Sequence, residues 1–327
     1  MYRDNLFSNP NKIVDLFDKL YNHIADRNKF LTKVRFYSIQ RFSVRVIANL
    51  FIPLYYKLTK NNKSAKLSDT DSHVPVLIVS LTTFPARIKR VWIVIESILR
   101  QTHKPDRIIL WLSKEQFGSM SELPKNLLDQ CSRGLEIRFC DQDYKSHKKY
   151  YYALKEYPED IMVTFDDDII YPTFLIAQLV SLHKKYPESV CCHRGLVIKT
   201  NKNKILPYIE WPALKKDVGT SYRIFQTSGG GTLFPPHSLH NEVLNYEVFT
   251  KFCFYADDVW LNIMCYLNDV TIVTSDFHSD YLPVINLKNQ MLSSINVDLF
   301  ENDKQLENVR NYYIEKAGID AFKKLFA

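Results

Sequence analysis

The stretch IMVTFDDDIIYP (161–172) sets a short apolar run against three consecutive aspartates, Asp166, Asp167 and Asp168. The run reads as a strand buried on both faces, and the carboxylates mark its exit. The same pattern has been building upstream. VPVLIVSL (74–81), RIILWLS (107–113) and LEIRFC (135–140) read as strands. Between them, a stretch from about Arg87 to Arg100 and the segments 123–131 and 147–157 read as helices. This alternation predicts an α/β fold with right-handed crossovers and a mostly parallel central sheet flanked by helices. Beyond residue 187 the pattern loosens. Short strands at 190–194 and 195–200 precede a polar loop at 210–222 and the segment RIFQTSGGGTLF (223–234). A helix from Ala256 to Leu267, a strand at 270–275 and a tail helix from about Asp303 to Ala317 follow.

Composition narrows the classes. The 327 residues are 46% hydrophobic and 24% charged, which suits a buried core and excludes wholesale disorder. No apolar run approaches the roughly 18 residues of a membrane span, and MYRDNLFSNPNK (1–12) lacks the apolar core of a signal peptide. Six cysteines (Cys131, Cys140, Cys191, Cys192, Cys253, Cys265) form no C-x-x-C pair, so a reduced, cytoplasmic setting is expected. The formal charge of +7 is unevenly placed: residues 1–66 hold 13 Lys+Arg against 4 Asp+Glu, and the remainder 30 against 32. The acidic motifs lie in the near-neutral part, which argues against a nucleic-acid partner.

Within the basic part, RFSVRVIANLFIPLYYKLTK (41–60) joins cationic residues to an apolar stretch from Val46 to Tyr56. Two readings stand. The segment lies on an anionic membrane surface, here the inner face of the cytoplasmic membrane, or it packs on the main domain with its basic side in water. TKNNKSAKLSDTDSH (59–73) reads as a linker. The expected organisation is therefore a basic helical extension and linker at 1–73, a catalytic domain at 74–282 and a helical tail at 283–327.

Four motifs carry chemistry. Three adjacent carboxylates at a strand end repel one another unless a cation neutralises them, and Mg²⁺ or Mn²⁺ would do so through oxygen ligands. Alternate side chains share a face, so Asp166 and Asp168 could converge on one metal while Asp167 points elsewhere; the plainer alternative is an acidic turn capping the next helix. Glycine numbers only 8 in the chain, yet Gly229, Gly230 and Gly231 are consecutive. Such a run lets backbone approach a ligand, or forms a tight bend between strands. In YADDVWLN (255–262), Asp257 and Asp258 open a helix, where one could cap it or act as a general base. His278 follows a strand, and Lys145, Lys148 and Lys149 lie near the carboxyl edge of the sheet, where lysines can meet phosphate. P-loop and dinucleotide glycine fingerprints are absent.

Together these residues resemble a GT-A-fold glycosyltransferase of the kind grouped around glycosyltransferase family 2, including bacterial enzymes of capsule and lipopolysaccharide synthesis. The likeness covers roughly residues 74–282 and rests on VSLTTFPARI (79–88), FDDDIIYP (165–172), TSGGGTLFPP (227–236) and ADDVWL (256–261). It implies that Asp166 and Asp168 hold a divalent metal on the diphosphate of a nucleotide-sugar donor, most simply UDP-linked, with Asp167 beside them. Asp258 matches the second acid of the pair supplying the catalytic base, with Asp257 its neighbour; the family often has Glu-Asp there. His278 falls where galactofuranosyltransferase-like members place a metal ligand. Thr82, Thr83 and Arg87 match the loop meeting the nucleotide, Lys148 and Lys149 a basic element near the diphosphate, and Gly229–Gly231 the wall of the donor and acceptor pocket. The implied reaction is inverting transfer to a hydroxyl of a glycan or lipid-linked glycan.

Two other classes fit less well. A nucleotidyltransferase would want a basic, glycine-rich loop directly after the first strand, and LTTFPARI (81–88) has no glycine. A non-catalytic carbohydrate- or membrane-binding protein on the same scaffold would have little use for Asp166, Asp168, Asp258 and the glycine run together.

Overall fold

A computed structural model describes residues 12–24, 30, 32, 35–59, 75–202, 204–214, 218–275, 280–285 and 301–326. Helices are α1 (Lys12–His23), α2 (Phe36–Leu58), α3 (Val91–Leu99), α4 (Lys125–Leu128), α5 (Lys148–Glu156), α6 (Leu175–Lys185), α7 (Tyr246–Phe252), α8 (Asp257–Leu267) and α9 (Glu301–Ala317). Strands are β1 (Leu77–Thr82), β2 (Arg107–Ser113), β3 (Leu135–Cys140), β4 (Ile161–Thr164), β5 (Ile169–Ile170), β6 (Val190–Cys192) and β7 (Gly195–Val197). They continue with β8 (Thr200–Asn201), β9 (Lys204–Ile205), β10 (Ile224–Gln226), β11 (Thr232–Phe234), β12 (Ile272–Thr274) and β13 (Leu282–Pro283).

The central sheet has seven strands in the order β12-β6-β11-β4-β1-β2-β3. All neighbours are parallel except β11, which runs antiparallel to both β4 and β6. Alternation along each strand sends side chains to two separate cores. Leu77, Val79 and Leu81 join Leu110, Val163 and the buried sides of α3 and α6 on one face. Ile78, Ile109, Trp111 and Met162 meet α5, α8 and α9 on the other. The result is three layers, helix–sheet–helix, as the alternating sequence predicts.

The flanking segments are built into these cores. Val14 of α1 and Ala48, Ile52 and Tyr56 of α2 are buried in the first, and Leu306, Val309 and Tyr313 of α9 in the second. Polar ties fix the N-terminal helices: Thr173 donates to Asp15 from its amide (2.8 Å) and its hydroxyl (2.7 Å). Asn49 of α2 donates to the Pro283 carbonyl (2.9 Å) and accepts from the Ile285 amide (2.8 Å). Most of the expected linker, 60–73, lies outside the described residues. The strands expected at 190–194 and 195–200 part company: β6 joins the central sheet, whereas β7 pairs with β10 in a separate two-stranded sheet. The first helix begins at Val91 rather than near Arg87, because residues 85–90 form turns.

Strand order decides where a ligand can enter. From β1 the chain runs outward through β2 to β3, then returns to place β4 on the opposite side of β1. That reversal opens a crevice outside the carboxyl ends of β1 and β4, where open α/β sheets bind their ligands. Thr83 follows β1, and Asp166 lies two residues after β4 ends at Thr164.

Candidate active site

Five carboxylates and two cations meet at this crevice. Asp167 is buried and turned toward the β1 loop, where the Thr83 hydroxyl donates to it at 2.5 Å and Arg87 pairs with it at 2.5 Å. The same guanidinium reaches Asp168 at 2.9 Å. Arg87 thus spans two neighbouring acids, one through each terminal guanidinium nitrogen. Asp166 points the other way, to the Lys149 ammonium at 2.8 Å. The contacts therefore group Asp168 with Asp167, whereas strict alternation along the segment pairs it with Asp166. Lys149, buried to 2% exposure, also touches Asp257 at 2.8 Å and donates to the Ser228 hydroxyl at 2.6 Å. One ammonium therefore ties the strand-end acids to those that open α8.

Local structure explains each placement. The Ser80 hydroxyl on β1 accepts from Trp111 Nε1 at 2.9 Å and donates to the Lys149 carbonyl, pinning the first turn of α5 over the sheet. Asn262 clamps α8 to β10, accepting from the Gln226 amide and donating to the Gln226 carbonyl, both at 2.9 Å. That clamp sets Ser228 over Asp258, which accepts from the Ser228 amide at 2.8 Å and from its hydroxyl at 2.5 Å. The helix N-cap is Ala256, so neither aspartate is used as a cap.

The glycine run packs on the acidic loop itself. A Cβ at Gly229 would stand 2.9 Å from Asp166 Oδ2, and one at Gly231 2.7 Å from the Phe165 ring and 2.9 Å from Leu175. Gly231 also has φ +86°, which L side chains rarely adopt. The Tyr171 hydroxyl accepts from the Asp166 amide at 2.9 Å and donates to the Gly229 carbonyl at 3.1 Å, stapling the two segments together.

Electrostatics separate the two acids of α8. Burial would raise Asp257, but Lys149, His147 and a hydrogen bond from Ser146 together hold that carboxyl below its ordinary range. Asp258, less buried, is pushed up to about 7 by burial and by the charge of Asp257. Asp168 is likewise pushed up to about 7, by burial with Asp167 and Asp166 adding to it and Arg87 opposing. Burial raises Asp167 against the pull of Arg87. Burial alone would lower Lys149, yet Asp166, Asp257 and Asp258 reverse the sign and raise it. The site carries more negative charge than its own cations balance.

The donor set is all oxygen, as a hard divalent cation requires. Asp166 and Asp168 are the most accessible of the strand-end acids, their side chains 36% and 28% exposed. No group of three or more His, Cys, Asp or Glu at metal-binding spacing occurs among the described residues. Mg²⁺ and Mn²⁺ are commonly held by protein through one or two carboxylates, with substrate phosphates completing the shell.

The sequence-derived candidates divide accordingly. Asp166, Asp167, Asp168, Asp257, Asp258, Lys149, Thr83, Arg87 and the three glycines form one cluster. Lys148 does not join it: it is buried and paired with Asp143, which Lys145 also meets at 2.5 Å. Thr82 donates its hydroxyl to the Trp111 carbonyl at 2.8 Å, toward β2. His278 lies outside the described residues. Ser228 and Tyr171 are additions; the hydroxyls beside the glycines and the aspartates were the available signal.

No family model matches the chain, and no curated protein matches it. Solved structures similar to it include the mannosyltransferase PcManGT from Pyrobaculum calidifontis in complex with GDP-Man and Mn²⁺. That likeness has 14% identity, 86% of this chain and 77% of that chain covered, and a TM-score of 0.46. Another is S. aureus TarS 1-349 in complex with UDP, at 14% identity, 75% and 73% coverage and a TM-score of 0.40. A third is 4-diphosphocytidyl-2C-methyl-D-erythritol synthase from Anaerococcus prevotii, at 15% identity, 70% and 99% coverage and a TM-score of 0.42.

Proposed function

We propose that this protein is a metal-dependent, inverting glycosyltransferase. It would move a sugar from a nucleotide-sugar, UDP-linked by the sequence resemblance, to a hydroxyl of a growing bacterial surface glycan such as capsule or lipopolysaccharide. One observation carries the reading. Two carboxylates at the end of β4 share the switch-point crevice with a separate, high-pKa carboxylate on α8, bridged by Lys149 and Ser228. A donor-holding pair and a proton-accepting acid at one opening is the minimum kit for displacing a nucleoside diphosphate by a hydroxyl.

The roles follow from the contacts. Asp166 and Asp168 would hold a divalent cation, which when bound neutralises charge on the departing diphosphate. Asp258 takes the acceptor's proton; a base titrating near 7 is ionised at working pH and still basic enough to accept. Ser228 orients it through two hydrogen bonds to one oxygen. Asp257, committed to Lys149, serves as an anchor and raises its neighbour's basicity. A hydroxyl attacking from the side of Asp258, opposite the diphosphate, would invert the anomeric carbon.

A panel of UDP-, GDP- and dTDP-sugars, with Mn²⁺ or EDTA, tests this by nucleotide release. One donor should be consumed in Mn²⁺ only, and Asp258→Asn should slow transfer roughly 10²–10⁴-fold while leaving donor binding in place. Silence across the panel would overturn the reading. So would pyrophosphate release from a nucleoside triphosphate and a sugar phosphate, which marks a nucleotidyltransferase.

A further inference from the structure

The N-terminal helices present to solvent the opposite of what an amphipathic surface helix should. Phe36, Ile39, Ile47, Leu50, Phe51, Leu54 and Leu58 of α2 are 42–77% exposed. At 100° per residue they fall within a 120° arc, with Phe42 (55% exposed) about 60° beyond its edge, opposite the buried Ala48, Asn49, Ile52 and Tyr56. The helix of 23 residues is about 34 Å long, and the exposed apolar residues run from its first residue, Phe36, to its last, Leu58. Leu16 and Leu20 of α1 add to it, at 39% and 47% exposure. Among the described residues nothing covers this face, and no described helix is long and apolar enough to cross a membrane. A patch of this kind marks an interaction site.

Charge identifies the occupant. Residues 27–66 contain ten Lys+Arg and no Asp or Glu. The acids of α1 are turned inward: Asp15 is bound by Thr173, and Asp18 is 1% exposed. Nothing acidic from these helices therefore opposes an anionic surface. A second copy of the chain would bring ten positive charges against ten.

We infer that α2 lies flat on an anionic lipid bilayer, its exposed ridge among the acyl chains, with the exposed Lys57 on that side and the net positive charge of residues 27–66 drawing it to anionic headgroups. The docked helix is tied directly to the acidic crevice. Asn49 holds the segment Pro283–Ile285, and the Val284 amide of that segment donates to the Asp168 carbonyl at 2.7 Å. This attachment is independent of the transfer reaction proposed above.

Co-sedimentation of the full chain with vesicles tests it without donor or acceptor. Wild type should pellet with phosphatidylcholine vesicles containing 30 mol% phosphatidylglycerol at least tenfold more strongly than with pure phosphatidylcholine, and 0.5 M salt should release it. Leu50→Glu/Leu54→Glu should lower binding at least tenfold with an unchanged thermal melt, because both side chains are already in solvent. Lys60→Glu/Lys63→Glu should lower binding to the anionic vesicles by about 25-fold or more, near fivefold per lysine even before the reversed charge is counted. Wild type remaining in the supernatant, or the leucine variant binding as wild type does, overturns the inference. So does light scattering that shows a wild-type dimer made monomeric by Leu50→Glu/Leu54→Glu, which would make the ridge a self-contact.

Discussion

Replacing the proposed base should stabilise the protein, increasingly so as pH rises from about 4 through 7. Asp258 sits near 7 because burial and the adjacent Asp257 disfavour its ionised form. A carboxyl titrating near 7 rather than near 4 holds its proton about 4 kcal/mol more tightly in the folded chain; solvent at its partly exposed edge brings this to about 2–4 kcal/mol. The folded state binds more protons than the unfolded one between those two values, so stability falls as pH rises through that window and the loss is complete by about pH 8. Asp258→Asn keeps an oxygen to accept from the Ser228 amide and hydroxyl but cannot ionise. The variant should melt within a degree or two of wild type at pH 5 and about 3–6 °C above it at pH 8. Differential scanning calorimetry across pH 5–8.5, in EDTA, reads this directly. Parallel profiles for the two proteins, or a variant less stable at pH 8, would refute the electrostatic account of Asp258. The same ionisation sets the sign for catalysis: transfer should rise with pH until Asp258 is fully ionised, since the base works in that form.

Three further outcomes follow from the same contacts. Lys149→Met leaves Asp166 and Asp257 without their shared ammonium and should cost about 3–5 kcal/mol in urea unfolding at pH 8; a cost below about 1 kcal/mol would mean the ammonium does not hold the acids. Gly231→Ala meets both a positive φ and the Phe165 ring, so a loss of roughly 2 kcal/mol or more is expected, and a wild-type denaturation midpoint would contradict the close approach. Asp168→Ala should remove the Mn²⁺-dependent part of UDP binding in calorimetry, and an unchanged Mn²⁺ dependence would take Asp168 out of the donor site.

What the sequence revealed depended on how local the cause was. RIILWLS and LEIRFC bound β2 and β3 to the residue, because a run of apolar side chains ended by turn residues is a local signal. The acids at the exit of β4 were equally plain. Strand order was not: β11 enters between β4 and β6 from far along the chain, and only that long-range pairing completes the sheet beside the crevice. Choosing between Lys148 and Lys149 needed the helix phase, since neighbours on α5 point about 100° apart, one to Asp143 and the other to the acidic cluster. Ser228 was hidden beside its glycines, and its role depends on the Asn262 clamp, which joins residues 36 positions apart. Segment 41–60 was legible as amphipathic but not in its orientation. Packing turned Ile52 and Tyr56 inward and left the larger apolar arc in water, against the reading that set its basic side there.

The acidity of the crevice constrains how it could serve an anionic donor. Asp166, Asp167, Asp168, Asp257 and Asp258 are met, among the described residues, by Arg87 and Lys149 alone. Both cations are already committed to carboxylates, and each is forked between two of them. A nucleoside diphosphate arriving by itself would add negative charge to a site where burial, with neighbouring carboxylates adding to it, already pushes Asp168 and Asp258 up to about 7. At separations of a few ångströms, each such repulsion is worth several kcal/mol at the effective dielectric of a protein surface. Donor binding and a divalent cation are therefore inseparable on the proposed reading. If UDP binds as tightly in EDTA as in Mn²⁺, the donor lies elsewhere on the molecule, and the five carboxylates must be explained by a cationic substrate instead.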